Sequence, residues 1–356
     1  MPNAHNIPEI SISLLPEFGW AVKDEPVYGP GSVFQGAVHI RLSAPVKAER
    51  LILGFRAIES IPAFESCPGV FRFKQHQIFG VQLVLWDSKG IPERLCETTY
   101  RFPFTIQMPL VNFPPSADHT YYRCRFELVA NLDCKPAPAI TLRNITYMPF
   151  LETSLLKSPL IKTTSRGSVT ASMQLSTLDY VPGDPIDVNV HLLVSKKSPA
   201  TRISVKLCQT TKCLIMEDVP EETKIVCSAI EAIESTKTIS LQIPVDVTPS
   251  FCYSRFASVT YKLRVEVERK GLFSSNLKFE DIPVNIGTLG YGIRCSEDLQ
   301  VYSAYVQQHQ LDSSQVNSMP KPHFMRSVEY ENALPLYESG RLPSYNEIYT
   351  STTAVV

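Results

Sequence analysis

Side chains able to do covalent chemistry are spread thinly along this chain. Its seven histidines, His5, His39, His76, His119, His191, His309 and His323, show no pair at a metal-ligand spacing. His39 and His191 fall on the outward phase of alternating segments, where a solvated imidazole is the ordinary outcome. Cys208 and Cys213 are separated by four residues and lack a second pair, so zinc is not expected. No nucleophile elbow, phosphate loop or dinucleotide fingerprint occurs. An active site needs convergent reactive groups, and the expectation is a protein without catalytic residues, metal or cofactor. The short motifs that stand out suit recognition instead. Leu334-Pro335-Leu336-Tyr337 and Leu342-Pro343-Ser344-Tyr345 repeat one Leu-Pro-x-Tyr pattern eight residues apart. Proline favours the polyproline II geometry that a shallow groove accepts, and tyrosine adds a large apolar ring with a hydroxyl to pair. Arg341 precedes Ser344 by three residues, a spacing that basophilic kinases accept, which makes Ser344 a candidate phosphorylation site inside the second motif.

The elements that must carry these motifs are strands. Tyr28-Gly29-Pro30-Gly31 and Tyr180-Val181-Pro182-Gly183 lie 152 residues apart, and each opens the same kind of segment. After the first, Val38, Ile40 and Leu42 alternate with His39 and Arg41; after the second, Ile186, Val188, Val190, Leu192 and Val194 alternate with Asp187, Asn189 and His191. At the same offset Arg50, Leu51, Leu53 and Phe55 match Arg202, Ile203, Val205 and Leu207. A later pair, Tyr122–Leu128 and Tyr261–Val267, echoes at a slightly smaller offset. Such a repeat is a whole domain, far longer than a solenoid unit. Alternation also marks Val81, Leu83 and Leu85, and again Ile239, Leu241, Ile243 and Val245. The fold expected is all-β: two tandem immunoglobulin-like β-sandwiches and a flexible C-terminal tail. The boundaries read as 7–150 for the first sandwich, 151–165 for a Ser/Thr/Lys-rich connection, 166–290 for the second sandwich and 291–356 for the tail. In the connection, Leu155-Leu156 or Leu160-Ile161 could add a short strand. Gly31 and Gly183 follow a proline at the position of a turn that needs positive φ, with Tyr28 and Tyr180 packed beneath.

Composition sets limits on partners and compartment. The 34 basic and 35 acidic residues nearly cancel, without the basic footprint of a nucleic-acid binder. Nine cysteines, an odd number scattered through strand-like runs, and an N-terminus without a basic n-region favour reduced thiols and a cytoplasmic location over a secreted disulfide scaffold. The basic residues Arg41, Lys47, Arg50 and Arg56, with Lys196, Lys197 and Arg202 at the equivalent place, leave room for a weak contact with acidic lipid headgroups. A solvated sandwich face is the stronger reading of them.

Several segments together resemble the α-arrestin, or arrestin-domain-containing, family. They are VYGPGSVFQGAVHI, VNFPPSADHTYYRCRFELVA from Val111 to Ala130, DYVPGDPIDVNVHLLV, SVTYKLRVEVER and IPVNIGT from Ile282 to Thr288. The last is the most specific, being similar to the Pro-hydrophobic-x-Ile-Gly-Thr segment that closes the second arrestin domain. The resemblance implies an arrestin-like fold from about residue 10 to 290 and a non-catalytic trafficking adaptor. It implies that Leu334, Pro335, Tyr337, Leu342, Pro343 and Tyr345 stand for the Pro-Pro-x-Tyr motifs with which this family binds WW domains of HECT-type ubiquitin ligases. Leucine replaces the first proline in both copies, which removes part of the preorganisation. The other partner implied is the cytoplasmic face of a membrane transporter or receptor, whose ubiquitination and endocytosis the adaptor would promote at the plasma membrane or endosomes. Two rival readings remain: an arrestin-fold structural sorting subunit like that of the retromer coat, and an extracellular carbohydrate-binding sandwich.

Overall fold

Alternation along the sequence becomes pleat, and the structure, a computed structural model, consists almost entirely of strands. It describes residues 8–15, 21–63, 72–96, 99–166, 169–194, 201–215, 221–268, 276–305 and 319–325. The first half contributes β1 (Glu9–Leu14), β2 (Ala21–Val22), β3 (Glu25–Tyr28), β4 (Val33–Arg41), β5 (Val46–Ala63) and β6 (Arg72–Asp87). It continues with β7 (Glu93–Leu95), β8 (Thr99–Gln107), β9 (Val111–Asn112), β10 (Ala117–His119), β11 (Tyr122–Lys135) and β12 (Ala139–Tyr147). The second half holds β13 (Leu160–Arg166), β14 (Val169–Leu175), β15 (Asp179–Tyr180), β16 (Pro185–Val194) and β17 (Thr201–Cys213). It is completed by β18 (Glu222–Ile233), β19 (Thr236–Gln242), β20 (Ala257–Glu268), β21 (Leu277–Lys278) and β22 (Ile282–Ile286). Two short strands follow, β23 (Gln300–Val301) and β24 (His323–Met325).

The two halves repeat one topology. Strand order β3-β12-β11-β5-β6 in the first half is matched by β15-β22-β20-β17-β18 in the second. The sheet opposite runs β1-β4-β8-β24 in the first and β13-β14-β16-β19 in the second. In both halves the strand ending in the turn tyrosine lies parallel to the last long-sheet strand, Tyr28 beside Tyr147 and Tyr180 beside Ile286. Gly31 (φ 72°) and Gly183 (φ 91°) take the left-handed conformation expected of them. The turns close through Ser32 N–H to Gly29 C=O and Asp184 N–H to Val181 C=O, at 3.2 and 3.0 Å. Beneath them Tyr28 and Tyr180 are buried.

Each sandwich buries its own apolar layer. In the first, Phe34 on β4 and Phe55 on β5 meet edge to face at 5.8 Å, and Phe79 and Phe126 extend the aromatic row. In the second, Ile186, Val188 and Val190 on β16 are fully buried, as are Val205 and Leu207 on β17 and Leu263 on β20. The strand expected through Val245 stops at Gln242, because Pro244 cannot continue the ladder, and Val245 is exposed.

Two further features differ from the sequence reading. The connection is partly strand: Leu160–Arg166 is β13, so the second sandwich starts before residue 166, whereas Leu155 and Leu156 are exposed. Gly287 serves a close approach, since a Cβ there would meet Leu151 O at 2.8 Å, where the connection crosses the end of the second sandwich. The largest difference lies beyond residue 290. β23 pairs in parallel with β9, β24 extends the first sandwich beside β8, and Met1–Met325 form one compact unit. The stretch 291–325 is therefore no flexible tail where it is described; 296–305 and 319–325 return to the first sandwich.

Candidate functional site

The buried polar groups gather where the two sandwiches meet. β5 carries Leu51, Leu53, Phe55 and Ala57 inward, and the same phase brings in Glu59, which is fully buried. Tyr122, at the start of β11, donates its hydroxyl to Glu59 Oε1 at 2.9 Å, and Ser254 from the second sandwich donates to the same oxygen. Tyr302 donates to Oε2 at 3.5 Å. Burial pushes the Glu59 carboxyl above its ordinary range, against the opposing pull of the hydrogen bonds from Ser254, Tyr122, Tyr302 and the Arg255 backbone. Burial likewise pushes the Tyr122 and Tyr302 hydroxyls up, which keeps both protonated and donating. One carboxyl thus joins three parts of the chain: the first sandwich, the second, and the segment after β23.

That last segment was not legible in the sequence. Tyr302 is fully buried, its ring 6.2 Å from Phe113, just after Gln300 and Val301 pair with β9. Burying such a side chain stabilises the returning segment by roughly 1.5–3 kcal/mol. The signal available was Tyr302 and Tyr305 at helical spacing in a polar surrounding, and residues 302–305 do form a helical turn.

Other contacts tie the two sandwiches along the same seam. Tyr253 donates its hydroxyl to Phe113 O at 3.3 Å, and Phe251 packs against Tyr122 with centroids 5.8 Å apart. Lys23 bridges to Asp246 at 2.5 Å, and Thr120 donates to Glu222 Oε1 at 2.6 Å. His119 is buried among Gln209, Lys224 and Thr248. The connection itself is pinned, with Leu151 N–H donating to Thr288 Oγ1 at 2.8 Å and Arg294 bridging Glu152 at 3.2 Å.

The outward faces of the two long sheets each hold a shallow concavity. On the first, Ile52, Gly54, Arg56, Gly80 and Val129 border a cavity of about 520 Å³. On the second, Ser204, Lys206, Arg264, Lys278 and Asp281 border one of about 370 Å³. The basic residues named from sequence do not form one free patch. Arg56 bridges Glu127 at 2.8 Å and Arg41 lies 3.9 Å from Glu9, while Lys196 and Lys197 lie outside the described residues. His39 pairs with Ser13 Oγ at 2.8 Å and His191 with Thr236 Oγ1 at 2.6 Å, which accounts for both as strand-surface contacts. Cys208 and Cys213 sit on one strand as free thiols. Among the described residues, no three His, Cys, Asp or Glu side chains gather closely enough to hold a metal ion. No helix among them is long and apolar enough to cross a membrane. Leu334, Pro335, Tyr337, Leu342, Pro343, Ser344 and Tyr345 all lie outside the described residues.

A duplicated all-β body, two sandwiches joined across a buried polar seam, defines a scaffold class. Residues 165–291 match the family model of the arrestin (or S-antigen) C-terminal domain, which supports an arrestin-family protein and an arrestin-like β-sandwich fold. A search of curated proteins gave no match to this chain. Arrestin domains are non-catalytic, and a domain of this kind points to an adaptor-type role in trafficking in general.

Proposed function

We propose that this protein is a cytoplasmic trafficking adaptor of the α-arrestin type, peripherally associated with the plasma membrane or endosomes. The two sandwiches engage the cytoplasmic face of a membrane transporter or receptor. The tail presents Pro335–Tyr337 and Pro343–Tyr345 to the WW domains of a HECT-type ubiquitin ligase. Holding ligase beside cargo raises their effective concentration, and ubiquitination and endocytosis follow without any chemistry by the adaptor. The observation that carries this reading is the arrestin C-terminal domain at 165–291 in the same chain as two Leu-Pro-x-Tyr motifs. Pull-downs from matched lysates, with the full chain and with a chain lacking 330–356, test it. The full chain is expected to capture a WW-containing ligase that the shortened one does not; equal capture would remove the proposal.

Ser344 supplies the regulation. A phosphate there adds nearly two negative charges beside a tyrosine that must enter an apolar groove, and raises the desolvation cost of docking. In a tail peptide, Ser344→Asp is expected to weaken WW binding through Tyr345 while leaving Tyr337 unaffected. Calorimetric titration reads both sites. Unchanged binding by a Ser344-phosphorylated peptide would show the serine to be only a spacer.

A further inference from the structure

His119 ends β10, at the tight turn into β11, and its ring leaves the first sandwich to enter the second. It is 8% exposed. Its Nδ1 accepts from the Lys224 ammonium on β18 at 3.4 Å, since an ammonium can only donate. That leaves Nε2 as the protonated nitrogen, donating to Thr248 Oγ1 at 3.2 Å; the Gln209 side-chain nitrogen of β17, itself a donor, stands 3.3 Å away and makes no bond to Nε2 in this tautomer. Lys224 beside Nδ1 and the burial of the ring both favour the neutral form.

We propose that His119 makes the joint between the two sandwiches proton-sensitive, the neutral ring holding it closed and the imidazolium loosening it. A proton added to Nδ1 abolishes the bond from Lys224 and sets an N–H against a like charge. The cation would also have to sit where water is largely excluded. The other charged groups in reach are few. Glu222 on β18 favours the cation but already accepts from Thr120; Asp118, the neighbouring residue, is held by Arg123 at 2.7 Å; Asp246, near Lys224, is bridged by Lys23. Burial first, and Lys224 second, lower the His119 pKa from 6.5 to about 4, outweighing Glu222 and Asp118.

The sign follows from linkage. A released ring with the ordinary value of 6.5 takes up its proton before a seated ring of about 4, so acid favours the open joint. The preference is absent above pH 6.5 and grows as pH falls toward 4; by pH 5 the opening equilibrium moves roughly thirtyfold. Glu59, across the same joint, works in the opposite direction, because protonating its raised carboxyl removes a buried charge.

Hydrogen exchange on the full chain at pH 7.5 and pH 5, corrected for intrinsic rates, tests this across 117–122 and 246–254. The expected result is roughly thirtyfold faster opening at pH 5, confined to the joint and absent in His119→Gln. Glu59→Gln is expected to keep the response. Proton NMR of the His119 ring gives an independent reading, with titration near 4 in the wild type and a higher value in Lys224→Met, which still reports if His119→Gln fails to fold. Titration near 6.5 in the wild type, or an acid response unchanged in His119→Gln, overturns the proposal.

Discussion

Replacing Glu59 by alanine is expected to destabilise the body of the protein by about 2–5 kcal/mol at neutral pH, because it orphans the buried Tyr122 and Ser254 hydroxyls and leaves a void. Donors lose their acceptor in both sandwiches at once, so the loss is shared rather than confined to one half. Tyr302 loses its partner too, and protection of the β9–β23 pairing is expected to fall with it. Glu59→Gln is expected to be milder, since one amide oxygen still accepts. Its signature is the pH profile. The carboxyl is raised above 4.5 in the folded chain, so the unfolded chain ionises first and the wild type loses stability as pH rises through that window. The glutamine variant lacks this slope. Urea midpoints of the three proteins between pH 4 and pH 8 provide the measurement, and equal midpoints for wild type and Glu59→Ala would show that the seam does not rest on this carboxyl.

The fold was largely legible because strands write themselves into the sequence with a period of two. Ile186, Val188 and Val190 named the inward face of β16, and the second Tyr-x-Pro-Gly segment revealed the duplication. The turn glycines were legible for a related reason, since Pro-Gly prescribes both dihedrals. The polar seam was less so. Glu59 lies on the buried phase of β5, where a carboxylate is costly, but a single acid in an apolar phase does not reveal its partners. Ser254 is 195 residues away and Tyr302 is 243, separations at which local pattern carries no information. His119 was equally opaque, because its partners on β17 and β18 come from the other repeat. The docked segment after residue 290 was missed because its strands are two and three residues long, too short for any period to register.

Each tail tyrosine is expected to anchor a WW domain by itself. Burying such a ring is worth roughly 1.5–3 kcal/mol, so Tyr337→Ala or Tyr345→Ala should weaken a single-site interaction about tenfold or more. The eight-residue spacing reaches at most roughly 28 Å, which sets a short span for two linked WW domains to engage both motifs together. The leucine that opens each motif lowers preorganisation and shifts affinity, but leaves the tyrosine anchor in place. Titrating a peptide of residues 330–350 against isolated WW domains of HECT-type ligases addresses the adaptor account most directly. The account predicts saturable binding that each single alanine weakens and that the double variant, Tyr337→Ala with Tyr345→Ala, abolishes; a double-alanine peptide that binds as tightly as the wild type would contradict it.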